Sequence, residues 1–163
     1  MKRILVIVLL SLLFLIIDNS VMPFISIRGY YPNLLFIFAI SLSIINGPEE
    51  GIFFGILTGA MQDLYFTNAF GINIFTNMLM CVAAGIFGKS IRKEKLLMPV
   101  LSTFLLSFVK GVIVFCLLYL LKQKTHIEDV IFNSMYSMII SIIMYKKIYK
   151  LCEKRFMVKQ WKF

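Results

Sequence analysis

Three ionisable residues lie inside long apolar stretches of the sequence and are the side chains best placed to do chemistry. They are Asp18, Asp63 and Lys110. Charged groups are expensive in hydrocarbon, so those found there usually form ion pairs, proton relays or substrate sites. Catalysis by intramembrane carboxylates is one possibility, but two aspartates without a cluster of metal ligands are a poor basis for it. We therefore predict that the protein is not an enzyme.

Other reactive residue types occur in patterns that do not indicate a cofactor site. The single histidine, His126, lies in the polar stretch KQKTHIEDV, where Thr125 and Glu128 have the spacing of a helix capping box. The sequence has no G-x-x-x-x-G-K-[ST] loop for nucleotide phosphates. The cysteines lack the spacing of metal ligands or of a redox pair; they are Cys81, Cys116 and Cys152. We expect no cofactor and no bound metal.

A regular run of glycines precedes one of the buried acids. Gly51, Gly55 and Gly59 recur every four residues, and Asp63 follows at the same interval. Small residues at this spacing let two helix backbones approach closely in a membrane, where apolar burial does not drive helices together. The groove could receive another helix of the same chain or a helix of a partner protein. The pattern predicts close packing and leaves these two alternatives open.

The elements that carry these residues are apolar blocks long enough for membrane helices. The chain has 163 residues, 60% of them hydrophobic, and a mean hydropathy of +0.90. A bilayer core requires roughly 20 helical residues. Six segments come near this length: residues 4–27, 32–46, 51–66, 70–88, 96–121 and 130–149. We predict an all-α polytopic membrane protein with six transmembrane helices in a single domain, residues 1–163. Four or five spans are the alternative.

The second and third segments are short and are joined by a tight polar turn, NGPEEG, at residues 46–51. Proline and glycine in such a turn predict a helical hairpin. Hydrophobic stretches that are shorter than the bilayer core can thin the membrane locally. We therefore expect this pair to dip into the membrane or to thin it.

The basic residues predict the orientation of the chain. The net charge is +9, and lysines and arginines cluster at the N-terminus, between residues 89 and 95, and from residue 146 to the C-terminus. With six spans these clusters share one side, which the positive-inside rule makes cytoplasmic. Both termini should then be cytoplasmic, and the basic C-terminal tail should lie against anionic lipid. This distribution argues against nucleic-acid binding.

The three buried charges should share one depth in the membrane. At 1.5 Å per residue, Asp18, Asp63 and Lys110 each lie about 20 Å from the cytoplasmic edge of their helices. We predict that Asp63 pairs with Lys110 inside the bundle, with Asp18 as a second and weaker neighbour. In the alternative interpretation, Asp18 and Asp63 cap short helices near the outer interface.

Within residues 31–88, a Pro-Asn step at Pro32 and Asn33 is followed by the polar turn at residues 46–50, by the glycine-spaced helix that leads to Asp63, and by Gly71. This order resembles the core of the bacterial rod shape-determining protein MreD family, which has a Pro-Asn or Pro-Asp step and then a polar turn. Its glycine-spaced helix ending in G-[LIA]-x-x-D is matched by Gly59 and Asp63. A loop glycine follows, at Gly71. The family usually has leucine after the last helix glycine, where this chain has Ala60. The rest of the chain resembles the family only in hydropathy.

The resemblance implies a function that the residues alone do not. Proteins of this family are non-enzymatic membrane scaffolds of the cell-wall elongation machinery. They bind MreC, a single-span protein, and work indirectly with the MreB filament, a RodA-type glycosyltransferase and a class B transpeptidase. The implied location is the bacterial cell membrane. The implied helix-packing or partner-binding residues are Pro32, Asn33, Gly51, Gly55, Gly59, Asp63 and Gly71.

The resemblance also suggests an alternative function. The MreD fold is similar to the substrate-binding subunits of energy-coupling-factor vitamin transporters, so a six-helix binder of a small molecule is the second hypothesis. A vitamin site requires polar and aromatic groups that converge on a pocket. The sequence offers few long polar side chains near the outer face, and we therefore expect the scaffold function.

Overall fold

The computed structural model describes residues 2–26, 32–65, 71–91, 95–120 and 127–153, which form six α-helices. Their bounds are α1 Lys2–Ser20, α2 Leu34–Asn46, α3 Pro48–Tyr65, α4 Ile72–Ser90, α5 Leu97–Leu120 and α6 Ile127–Cys152. A short 3₁₀ helix, Met22–Ile25, follows α1. The predicted capping residue Thr125, His126 and the basic tail at residues 154–163 lie outside the described residues. The all-helical prediction is confirmed for the described part of the chain.

Helix α2 is the central element of the bundle. Every residue from Leu34 to Ile44 is buried, and α2 contacts each of the other five helices. Its 13 residues extend for only about 20 Å, less than the hydrocarbon core of about 30 Å. Because protein surrounds α2 on all sides, this helix does not have to match the thickness of the lipid. Its uniform hydrophobicity, with no polar face, agrees with that position.

The surface and the interior of the bundle have the polarity expected in lipid. The outward faces carry large apolar side chains, whereas many buried side chains are polar. The exposed set includes Leu9 and Ile16 of α1, Ile52 of α3, Leu79 of α4, Leu105 of α5 and Ile139 of α6; the buried polar set includes Ser41, Thr58, Thr76, Thr103 and Ser141. Most of these hydroxyls donate to a carbonyl one turn earlier in their own helix. These bonds satisfy the hydroxyls inside their own helices, so such side chains can be buried in the interior.

Among the described residues, three helices are long and apolar enough to cross a membrane by themselves. They comprise Arg3–Ser20, Ile72–Ser90 and Leu97–Leu120, and Leu34–Asn46 is a shorter apolar helix. The number of spans in a membrane thus remains a prediction. The first predicted segment, residues 4–27, is broken in the structure: α1 ends at Ser20, and the 3₁₀ helix with Pro23 replaces it. The predicted hairpin of the second and third segments is present as α2 and α3, with Gly47 in the turn at a φ of 102°.

Candidate functional site

The glycine stripe of α3 packs against α4 of the same chain. A Cβ atom added at Gly51 would lie 2.6 Å from the carbonyl oxygen of Cys81, and one at Gly55 would lie 2.5 Å from the Cα of Met78. At Gly59 the added atom would lie 2.6 Å from the carbonyl oxygen of Asn73. These distances are far below any normal contact, so only glycine permits this approach. Of the two alternatives for the groove, the structure has the internal one.

Two further glycines, which the sequence analysis did not single out, continue this packing towards the other end of α4. Gly85 faces the backbone of Pro48, and Gly88 faces the backbone of Ile44. They bring α4 against the turn between α2 and α3 and against the end of α2. Ala84 and Gly88 have the small-xxx-small spacing of closely packed membrane helices, which could have been used to find this part of the contact.

Asp63, near the end of α3, caps the N-terminus of the next helix, α4. Its side chain is 1% exposed and accepts hydrogen bonds from the N–H groups of Gly71, Asn73 and Ile74 at 2.9–3.1 Å and from the Asn73 side-chain amide at 3.0 Å. These N–H groups are in the first turn of α4 and would otherwise lack acceptors. Gly71 has a φ of 100°, a conformation that favours glycine. The carboxylate therefore holds the start of α4 against the end of α3.

Asp18 has the same role for α2, although it belongs to α1. The N–H groups of Leu34 and Leu35 donate to its two carboxylate oxygens, both at 2.9 Å. Asn33 is the N-cap residue of α2 and accepts from the Phe36 N–H at 2.9 Å. The partial positive charge at a helix N-terminus also favours a carboxylate there. Asp18 and Asn33 together thus accept the hydrogen bonds of the first N–H groups of α2.

A hydrogen-bonded network of amides joins these helix ends across the bundle. The Gln62 Nε2 group donates to Asn33 Oδ1 at 2.8 Å. Gln62 Oε1 in turn accepts from Asn77 Nδ2 at 3.0 Å and from Lys110 Nζ at 3.4 Å. The ammonium also lies 4.3 Å from the centre of the Phe36 ring, a cation–π contact. We call Asn33, Gln62, Asn77 and Lys110 the amide–lysine network; it links α2, α3, α4 and α5.

The predicted direct pair of Asp63 and Lys110 is not formed. Among the described residues the one salt bridge joins Arg3 to Glu50. Lys110 does contact α3 next to Asp63, because its hydrogen-bond partner Gln62 immediately precedes Asp63 in the sequence. Consecutive residues of a helix point about 100° apart, however, so a lysine bound to Gln62 approaches a different side of α3. Asp18 and Asp63 act on Lys110 only as nearby charges. The prediction did not take into account that the N–H groups of the α4 backbone compete for the Asp63 carboxylate.

Sequence reasoning missed Gln62, which connects the largest number of elements in this network. The sequence could have indicated Gln62, because it is a long polar side chain in an apolar segment, next to Asp63 and one helical turn after Thr58. The sequence analysis assigned no role to Asn73 or Asn77 either. Pro32, by contrast, is where the resemblance placed it, directly before the N-cap Asn33, and it is buried. The family pattern of Pro32 and Asn33 therefore corresponds to the start of the central helix.

A second polar contact lies at the opposite end of the bundle. The Arg3 guanidinium donates to both carboxylate oxygens of Glu50, with Nη1 to Oε1 at 2.9 Å. This bidentate pair ties the first turn of α1 to the first turn of α3. Each end of the bundle thus has its own polar connection between helices that are separate in sequence.

The arrangement can hold helices in register, and its polar atoms are largely used for that purpose. In the part of the chain that the structure describes, no group of three or more His, Cys, Asp or Glu side chains is placed to bind a metal ion. The carboxylates of Asp18 and Asp63 point at backbone N–H groups. What these contacts determine is the relative position of α1, α2, α3, α4 and α5 at one end of the molecule.

Comparison with known proteins yields one match. The family whose sequence model matches is described as rod shape-determining protein MreD, and the match covers residues 1–155. No match was found among curated proteins or among solved structures. The family match extends well beyond residues 31–88, where the sequence motifs were recognised, and includes most of the chain.

Proposed function

The chain belongs to the MreD family of rod shape-determining proteins, and we propose that it acts as a non-enzymatic scaffold of the cell-wall elongation machinery. A role in rod shape determination and a location in the membrane follow from the family and from the apolar helices. The observation that carries the proposal is the family match over residues 1–155.

The geometry of the bundle supports a scaffold more than a binding protein with a deep pocket. The centre is occupied by α2, whose residues from Leu34 to Ile44 are all buried. The polar side chains that could have lined a pocket are hydrogen-bonded to helix N-termini or to one another. A body held together in this way presents fixed outer faces, which is what a protein that positions other membrane proteins requires.

We propose that the direct partner is an MreC-like single-span protein. Through it the protein would be connected to the MreB filament, a RodA-type glycosyltransferase and a class B transpeptidase, and so would support lateral peptidoglycan synthesis. The outer faces of α1, α5 and α6 carry rows of exposed apolar side chains, which suit contact with lipid or with a transmembrane helix. The basic tail after Glu153 would lie on anionic lipid.

The proposal extends to topology and fold. Six spans with both termini in the cytoplasm would place the Arg3–Glu50 contact at the cytoplasmic end. The caps of α2 and α4 would then lie in the outer half of the membrane. A similarity to the substrate-binding subunits of energy-coupling-factor transporters is part of the same proposal. An experimental structure, compared with those subunits, tests that part.

Depletion and co-purification test the function. In rod-shaped cells that lack their own copy, the tagged protein should restore cell width and should retain an MreC-like protein after mild solubilisation. A tagged polytopic membrane protein of another family, produced at the same level, is the control. Restored shape without any enrichment of the MreC-like protein over that control would contradict the proposed partner.

The same cells distinguish the alternative function. A substrate-binding subunit of a vitamin transporter would leave cell shape unchanged on depletion and would reduce uptake of a labelled vitamin. Normal rods with reduced uptake would therefore replace the scaffold proposal by the transporter hypothesis.

A further inference from the structure

The direction of the hydrogen bonds in the amide–lysine network is determined by the backbone of α2. The Phe36 N–H is a fixed donor, so the oxygen of the Asn33 amide must face it. That oxygen also receives Gln62, which therefore has to present its NH₂ group there and its oxygen on the other side. Asn77 must then present its own NH₂ group to Gln62. Flipping any one amide would place two like groups against each other.

This order leaves the Asn77 oxygen as an acceptor without a partner among the described residues. Asn77 is 0% exposed, and in this part of the chain no donor binds its Oδ1 atom. Leaving a buried acceptor unsatisfied costs about 1–3 kcal/mol. Since the orientation of the amide is forced by its neighbours, rotation of the Asn77 side chain cannot remove this cost without breaking the contact with Gln62.

Lys110, beside it, has unused donors. An ammonium group has three N–H donors, and Lys110 is only 8% exposed. Among the described residues it makes one hydrogen bond, to Gln62 Oε1 at 3.4 Å, which is longer than the usual range of 2.7–3.2 Å. Asn77 Nδ2 and Lys110 Nζ donate to the same Gln62 oxygen, at 3.0 and 3.4 Å, so the Asn77 amide and the Lys110 ammonium lie beside one atom.

We infer that a single resident water molecule lies between Lys110 and Asn77. It accepts a hydrogen bond from the Lys110 ammonium and donates one to Asn77 Oδ1. A buried water usually makes about three hydrogen bonds to polar groups that would otherwise lack partners, and both kinds of partner are present here. The water completes the amide–lysine network and connects α4 to α5. This inference does not depend on the proposed function.

The local charges favour a neutral guest over an ion. Asp18 and Asp63 both lie near enough to Lys110 to act on it electrostatically, and their negative charge disfavours an anion. The Lys110 ammonium itself disfavours a metal cation. The bound molecule must also accept a hydrogen bond from the Lys110 ammonium and donate one to Asn77 Oδ1. Water can do both, whereas an apolar molecule can do neither.

A structure of the full chain in a lipid nanodisc, at a resolution that shows ordered water, tests the inference. We expect a density peak within hydrogen-bond distance of both Lys110 Nζ and Asn77 Oδ1. A side chain in that place, or direct contact between the two atoms, would overturn it. As an independent readout, solid-state NMR of the protein in bilayers, with ¹⁵N-labelled lysine, should show magnetisation transfer from water to the Lys110 ammonium.

Two variants sharpen the NMR measurement. Asn77→Leu removes the acceptor that holds the water, so transfer to Lys110 should be lost or strongly reduced. Thr103→Val is the control, because Thr103 is a buried polar residue of the same helix as Lys110 whose hydroxyl donates to the Pro99 carbonyl at 2.9 Å. It should keep the wild-type signal. Absence of transfer in the wild-type protein, or an unchanged signal in Asn77→Leu, would refute the water site.

Discussion

Asp63 and Lys110 show how differently two buried charges can be stabilised within one bundle. Asp63 meets the N–H groups of α4, and Asp18 meets those of α2, where the helix dipole contributes positive charge. From the residues that the structure describes, Lys110 receives one amide oxygen and the face of the Phe36 ring. The two acids are therefore integral parts of helix starts, whereas the lysine joins side chains from several helices.

Replacing the Asp63 carboxylate by an amide tests the cap of α4. We expect Asp63→Asn to destabilise the protein by about 1–3 kcal/mol, because one oxygen is lost and an NH₂ group is turned towards N–H donors. The melting temperature in detergent should fall accordingly. Glu49→Gln makes the same chemical change at an exposed position in the first turn of α3 and should shift it much less. Equal shifts in both variants would argue against the capping role.

Exchanging the two charges distinguishes a cap from an ion pair. The double variant Asp63→Lys with Lys110→Asp should be at least as unstable as Asp63→Lys alone, because a lysine cannot accept hydrogen bonds from the α4 backbone. Accumulation in membranes and melting temperature are the readouts. Recovery of stability in the double variant, relative to each single variant, would indicate a direct pair of the two charges and would contradict the contacts described above.

At the scale of elements, the contact between α3 and α4 depends on backbone approaching backbone. Gly51, Gly55 and Gly59 each leave no space for a Cβ atom. Close contact of this kind is a main source of helix association in lipid. The α5–α6 contact differs, because the atom nearest to an added Cβ at Gly111 belongs to the Val130 side chain, Cγ1 at 2.5 Å. A side chain can move aside more easily than a helix.

A graded series of substitutions tests this difference. Gly55→Ala should strongly reduce the amount of folded protein in membranes, since overpacking typically costs about 1–3 kcal/mol and here meets backbone. Gly111→Ala should have a smaller effect, because Val130 can adjust. Ile52→Leu, at an exposed position on α3, should have almost none. We therefore predict that the amount of folded protein, measured by fluorescence-detected size exclusion, is lowest for Gly55→Ala, intermediate for Gly111→Ala and highest for Ile52→Leu. A lower amount for Gly111→Ala than for Gly55→Ala would contradict the role of backbone contact between α3 and α4.

For the whole molecule, the ends of the bundle can be assigned to the two sides of the membrane. Phe24 is 90% exposed on the 3₁₀ helix, and Glu49 is exposed at the start of α3. Helix α2 lies between them in sequence, so the two positions are at opposite ends of the bundle. In the proposed topology with six spans, the positive-inside rule would place the Glu49 end in the cytoplasm.

Cysteine labelling in intact cells tests this assignment. In a variant without the native cysteines, a cysteine at position 24 should react with a membrane-impermeant maleimide added outside. A cysteine at position 49 should react only after the cells are opened. Labelling of position 49 from outside would invert the topology, and labelling of both positions from the same side would exclude a transmembrane α2.

The sequence by itself determined the helical class, the approximate helix positions, the tight turn at Gly47 and the close packing of the glycine face. These follow from patterns carried by neighbouring residues, namely apolar length, residue spacing and turn chemistry. The family match over residues 1–155 agrees with the resemblance read from Pro32, Asn33, Gly59, Asp63 and Gly71. Where a residue lies along a helix can be counted in the sequence, and Lys110 indeed contacts Gln62, the residue before Asp63.

Only the tertiary structure decided which groups those residues contact. Because Asp63 and Lys110 have opposite charges, the sequence predicts an ion pair between them. It does not indicate that the N–H groups at the start of α4 are the hydrogen-bond donors to the Asp63 carboxylate. It likewise did not distinguish Gln62 from other polar residues, although Gln62 joins Asn33, Asn77 and Lys110. The physical reason is that a hydrogen bond depends on direction and distance in three dimensions. Those are set by how the five other helices pack around α2. The backbone, which offers donors at every helix start, competes with the side chains as a hydrogen-bond partner.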